Sequence, residues 1–208
     1  MNQKEIRKNI KSFSKYYRNA LINEGMDDIE KRMSLYETRL KEMYNSENYA
    51  KHNIYPSTNV SFVYAVIAMC LELKDAGFED ERIIRAVEKG MEGRWNAFVK
   101  ILKFIDLFPN CFSIVRKWND SDHASRVKDG SITYDYFSSE KDKVEYSISK
   151  CMYVEMFSSY GIRPLCKIFC NTDLIAYSGL TRHVKFVRHS DLSDGCACFD
   201  EVIKKKKL

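Results

Sequence analysis

Prolines and glycines are scarce, with three and eight among 208 residues. Sharp turns are therefore few, and each proline marks a boundary. Pro56 interrupts a helical pattern, Pro109 closes one, and Pro164 suits the first turn of another. Long apolar runs are missing. The longest, Phe62 to Leu71, is far below the ~20 residues that a spanning helix needs, and no membrane partner is expected. No C-x2-C pair occurs, and Cys166-x3-Cys170 with His183-x5-His189 comes nearest to a structural zinc spacing; neither a metal nor a cofactor is expected. Basic residues do not cluster with aromatic platforms or in a known motif, which argues against nucleic acid as a partner. The polar, basic start, Met1 to Lys15, lacks the form of a secretory signal. With seven cysteines, an odd number, the expectation is a cytoplasmic protein with reduced thiols. Internal repeats and sustained heptads are also absent. The only biased segment is Lys204 to Lys207, read as a solvated tail.

The residues present are those of a soluble globular chain. Apolar residues make up 45% and aromatics 13%, enough for a sizeable core, and the net charge is a modest +5. Ile6, Ile10, Phe13 and Tyr17 recur at helical spacing. Their stripe is narrow and suits packing on the domain, or on a second subunit of a homo-oligomer. A charged helix is expected from about Met26 to Glu47. The next starts near Asn59, as a cap, and runs to Asp75 before Gly77. Another begins at Glu79 or Asp80, and an aromatic one covers Trp95 to Phe108. Trp118 to His123 reads as a polar connector. Beyond the Asp129-Gly130 turn, Ser131 to Phe137 alternates as a strand with Ile132, Tyr134 and Tyr136 on one side. Val144, Tyr146 and Ile148 form a second run, Val184 to Arg188 a third, and Cys196 to Val202 the last. Helices first, then strands with a crossing helix, define an α+β fold: a helical N-terminal half packed with a small antiparallel sheet and crossing helices in the C-terminal half. The expected organisation is a single domain over 1–208, with 1–50 as a helical extension and 125–203 as a cysteine-rich site region.

Five of the seven cysteines fall between Cys151 and Asp200. A helix from about Pro164 to Gly179 puts Cys166, Cys170, Asp173 and Tyr177 at i, i+4, i+7 and i+11, on one face. Buried thiols acting as small hydrophobes explain Cys70 and Cys111 well. They explain Cys170 less well, because burying its neighbour Asp173 without a purpose is expensive. Zinc ligation by Cys166, Cys170, His183, His189, Cys196 and Cys198 is a weaker reading, and an active site is the third.

The motifs Cys151-Met-Tyr153, Gly161-Ile-Arg-Pro164-Leu165-Cys166, Phe169-Cys170-Asn-Thr-Asp173 and Arg188-His-Ser-Asp-Leu192-Ser-Asp-Gly195-Cys-Ala-Cys198 resemble the C-terminal half of the L-2-amino-thiazoline-4-carboxylic acid hydrolases. The detailed likeness covers roughly the last 50 residues. Where the family pattern has threonines, this chain has His189 and Asp191, and Cys196 replaces an aspartate. The resemblance implies a hydrolase acting on a carbon–nitrogen or carbon–sulfur bond of a small cyclic amidine. Cys170 and Asp173 are then the catalytic pair. Cys170 is a nucleophile if its thiolate is favoured, and Asp173 an acid/base or a partner for the amidine. Arg188 offers a planar fork to a carboxylate, and Cys151, Cys198 and His189 complete the substrate-binding set. A negative Asp173 opposes thiolate formation at Cys170, so a water oriented by Asp173 is an alternative attacking group. The altered tail leaves open a non-enzymatic module that binds a small molecule in the same cysteine-lined pocket.

Overall fold

Amphipathic helical runs fill the chain up to residue 128, and alternating strands appear only after the Asp129-Gly130 turn. The computed structural model describes residues 3–205. It is α+β, and its packing divides into two compact units, residues 1–93 with 156–168 and residues 94–155 with 169–208. Among the described residues, no helix is long and apolar enough to cross a membrane.

The first unit contains α1 (Gln3–Asn23), α2 (Ile29–Tyr44), α3 (Glu47–His52), α4 (Ser57–Asp75) and α5 (Asp80–Gly90). The apolar run lies in α4, where Val63 through Cys70 have no exposed surface. A helix apolar all round must be buried on all sides. Around it the polar atoms find partners: His52 Nδ1 lies 3.0 Å from the Tyr64 hydroxyl, and the Ser159 hydroxyl lies 3.2 Å from His52 Nε2. Gly90 ends α5 where a Cβ would meet the Tyr16 carbonyl at 2.5 Å. Hydrogen there lets α5 approach α1 closely. Asn59 does not cap α4. It lies inside the first turn, and the cap position is Pro56, with no side-chain capping bond.

The second unit is built from α6 (Glu92–Ile105), α7 (Cys111–Lys128), β1 (Ile132–Ser139), β2 (Lys143–Cys151), α9 (Lys167–Tyr177), β3 (Val184–Ser190) and β4 (Cys198–Lys204); α8 (Met152–Ser158) and a 3-10 turn at Arg163–Cys166 lie between β2 and α9. The four strands form one antiparallel sheet in the order β1-β2-β4-β3. Val144 and Val202, opposite each other across β2 and β4, are fully buried with Val115 of α7, and Ala176 and Tyr177 of α9 pack into the same core. Gly179 follows α9 where a Cβ would meet the Val99 carbonyl at 2.8 Å, so the stop there is a close approach to α6. The Asp106 carboxyl pins the next segment by accepting from the backbone N–H groups of Thr181, Arg182 and His183 at 2.7, 2.7 and 3.1 Å.

Four local expectations need correction. Trp118 to His123 is the middle of α7, not a connector. Its polar residues have inward partners: Trp118 meets the rings of Phe98 and Tyr177, and the Asn119 amide donates to the Tyr177 hydroxyl at 2.9 Å. In β1 the pairing slips on either side of Tyr134. The bulge turns Tyr136 outward and Phe137 toward the core. The last strand begins at Cys198, so exposed Cys196 belongs to the preceding turn. Lys204 and Lys205 are not a free tail: one pairs with Asp142 at 3.1 Å and the other donates to the Thr181 carbonyl at 2.6 Å. The rest of that lysine run lies outside the described residues.

Candidate active site

Arg188 is the centre of the polar cluster. It faces Asp200 in the β3–β4 register, so both side chains leave the same side of the sheet. Residues of α9 reach that side: Arg188 Nη2 donates to Asp173 Oδ2 at 2.8 Å, and its Nη1 donates to the Cys170 carbonyl. Asp200 accepts from Nε at 2.9 Å and from Nη2 at 2.6 Å. Four of the five guanidinium N–H donors are thus engaged inside the protein. Cys198, two residues before Asp200, points its thiol at Oδ2 from 3.5 Å.

These positions differ in access to water. The Asp200 side chain is fully buried and that of Arg188 is 10% exposed, whereas Asp173 keeps 49% of its side-chain surface open. Asp173 is nonetheless crowded: shielding from bulk water raises its pKa, against the opposing pull of Arg188. The raised pKa therefore reflects the packing around the carboxyl, while half of its surface still meets water. Burial also disfavours the Arg188 charge, but Asp200 and Asp173 outweigh it and raise its pKa. The Cys198 thiol is pushed up by burial first and by Asp200 second.

A second group approaches from α7 and β2. Asp122 and Arg126, one helical turn apart, pair at 3.3 Å, and Arg126 Nη1 donates to the Tyr153 hydroxyl at 3.3 Å. The Tyr153 ring stacks on Phe169, 4.8 Å between centres and 7° from parallel, next to Cys170 in the chain. Cys151, at the end of β2, has its thiol pushed up to about 11, mainly by burial; Cys170 adds to the rise and Arg126 opposes it. Tyr134 is within electrostatic reach of Asp122, Arg126, Cys151 and Asp173 together. The two groups therefore border one region of the second unit.

The profile of the L-2-amino-thiazoline-4-carboxylic acid hydrolase family matches residues 58–200. The chain belongs to that family. No curated protein and no solved structure matches it. The family match spans α4 through Asp200 and so includes every member of both polar groups.

Within this family member, the residues singled out from sequence fall as follows. Asp173, Arg188 and Cys198 converge with Asp200, Cys170 joins them through its backbone carbonyl, and Cys151 is within electrostatic reach of Cys170. His189 does not join them. It leaves the opposite side of β3, stacks on Phe199 and sits 2.7 Å from Glu201. Cys166 is buried in the first unit. Among the described residues, no group of three or more His, Cys, Asp or Glu is placed to hold a metal ion. Sequence reasoning gave no role to Asp200, Asp122 or Arg126, and read Tyr153 only as part of a motif. The signals were present: Asp200 alternates with Cys198 and Val202 at strand spacing, and Asp122 and Arg126 are an i, i+4 ion pair.

Proposed function

We propose that this hydrolase-family protein opens the ring of a small cyclic amidine carrying a carboxylate, of the 2-aminothiazoline type. Water or a thiolate adds to the amidine carbon, the ring carbon–sulfur bond breaks, and the ring sulfur leaves as a thiol after taking up a proton; in the thiolate route water then adds to the same carbon and expels the enzyme thiolate. Net addition of one water gives an N-carbamoyl cysteine. The observation that carries the reading is the half-exposed Asp173 carboxyl, held by a buried arginine that also binds the backbone carbonyl of Cys170. A carboxyl whose pKa is raised by burial is suited to acid/base work, and its charged form pairs with an amidinium. Cys170 is the candidate nucleophile, with the Cys198 thiol against Asp200 and Cys151 near Cys170. Arg188 supports the site by fixing the orientation of Asp173.

Release of new thiol from 2-aminothiazoline-4-carboxylate, above the enzyme's own thiols, tests the reaction. A covalent route makes Cys170→Ser the more damaging change, and Asp173→Asn then slows hydrolysis while leaving Cys170 open to alkylation. Water attack oriented by Asp173 reverses that order. Loss of one such interaction costs roughly a hundred- to a thousandfold. Full activity in both folded variants refutes the site, and ligand binding without thiol release refutes the hydrolysis.

A further inference from the structure

Arg188 and Arg126 border the same region in opposite states. Arg188 has committed most of its donors to the protein, and two carboxylates flank its single charge. That end of the site carries excess negative charge, so it repels a substrate carboxylate and attracts a cation. Arg126 is much less committed. Its bonds to Asp122 and to the Tyr153 hydroxyl are both long, at 3.3 Å, and its Nη2 has no partner among the described residues. Its side chain is 23% exposed, while its companion Asp122 is 45% exposed and well hydrated. A partly dehydrated guanidinium with an open edge is suited to a two-point bond with a carboxylate. Tyr153, wedged between Arg126 and Phe169, limits the angles that the guanidinium can adopt.

We infer that Arg126 on α7 receives the substrate carboxylate, and that the site selects zwitterions, with the amidinium at Asp173 and the acid at Arg126. This rests on the hydrolase reading for its substrate class. It transfers to Arg126 the part that the sequence assigns to Arg188.

The test compares 2-aminothiazoline-4-carboxylate with its carboxamide in the wild type, Arg126→Gln and Arg126→Lys. For the acid, Arg126→Gln is expected to raise KM about tenfold or more with kcat within a few-fold, the mark of lost uniform binding. For the carboxamide it is expected to change neither, so the preference for acid over amide disappears. Arg126→Lys, which keeps the charge without the fork, is expected to recover part of that preference, and it serves as the variant if Arg126→Gln does not fold. Titration calorimetry with both compounds forms a second arm. If the wild type binds but does not turn over, the hydrolase reading fails, and the loss of acid affinity alone in Arg126→Gln still supports the carboxylate site. Equal losses for acid and amide, no loss for either, or no binding of either compound to the wild type overturn the inference.

Discussion

Replacing Arg188 by methionine isolates the energetics of the site. The change keeps a long apolar stem and removes the charge that Asp200 faces. Asp200 has no exposed surface, and it would lose both guanidinium bonds and keep only the Cys198 thiol at 3.5 Å. An ion left alone after removal of its buried partner costs about 3–5 kcal/mol, whereas an exposed pair costs about 0–1. Against a typical domain stability of roughly 5–15 kcal/mol, that is a large fraction. With a urea slope of roughly 1–3 kcal/mol per molar, the midpoint is expected to fall by about 1 M or more. Adding Asp200→Leu to Arg188→Met removes the stranded charge and should recover most of the stability. Urea unfolding of the wild type, both single variants and the double variant measures this. A loss below about 1 kcal/mol, or a double variant no better than Arg188→Met, would refute the reasoning.

Asp173 should behave in the opposite way. Burial raises its pKa over the pull of Arg188, so the folded state binds this proton more tightly than the unfolded chain does. Stability is then lost as pH rises from the unfolded value of about 3.9 through the raised folded value. Asp173→Asn is expected to raise Tm at pH 7.5 and to match the wild type in acid; thermal unfolding that shows a lower Tm at pH 7.5 would contradict the assignment. The thiols give a third check by timed alkylation and peptide mass analysis. Exposed Cys196 should react first and buried Cys70, Cys111, Cys166 and Cys198 only after unfolding, when all seven are modified; Cys151, with its thiol at about 11, should react slowly at pH 8. Stable disulfides would overturn the expectation of reduced thiols.

Legibility of the fold followed periodicity. Where a segment faces one medium on each side, as in β3, the alternation gave the strand directly. It failed in β1, because a bulge is decided by pairing with β2, a partner that local pattern does not contain. It failed more seriously in α7. Trp118 to His123 looks polar because Asn119 and Asp122 belong to a helix face turned toward polar partners rather than toward apolar core. Hydrophobic periodicity is blind to such a face. Asp122 and Arg126 of the candidate site were hidden on that helix. The cysteine and aspartate spacing on α9 was legible because one helix carries both. The engagement of Arg188 was not, since it depends on Asp200 arriving from another strand. His189 shows the converse: adjacent in sequence to a central residue, it is carried to the other side by the two-residue period of a strand.

The position of β4 sets when the site can exist during synthesis. Strands β1 and β2 are joined by a short turn and can pair as soon as both are made. In contrast β4 lies between β2 and β3, and its contacts with β2 join residues as distant as Lys143 and Ile203. Such pairings form slowly, because a long loop must close before any contact repays it. Until the ribosome has released residues 198–204, Arg188 has no Asp200, Asp173 has no fixed arginine, and β2 offers an open edge to any other strand. A nascent or truncated chain thus lacks the charge cluster and is prone to edge pairing. Completion of the sheet and assembly of the charge cluster become the same late event.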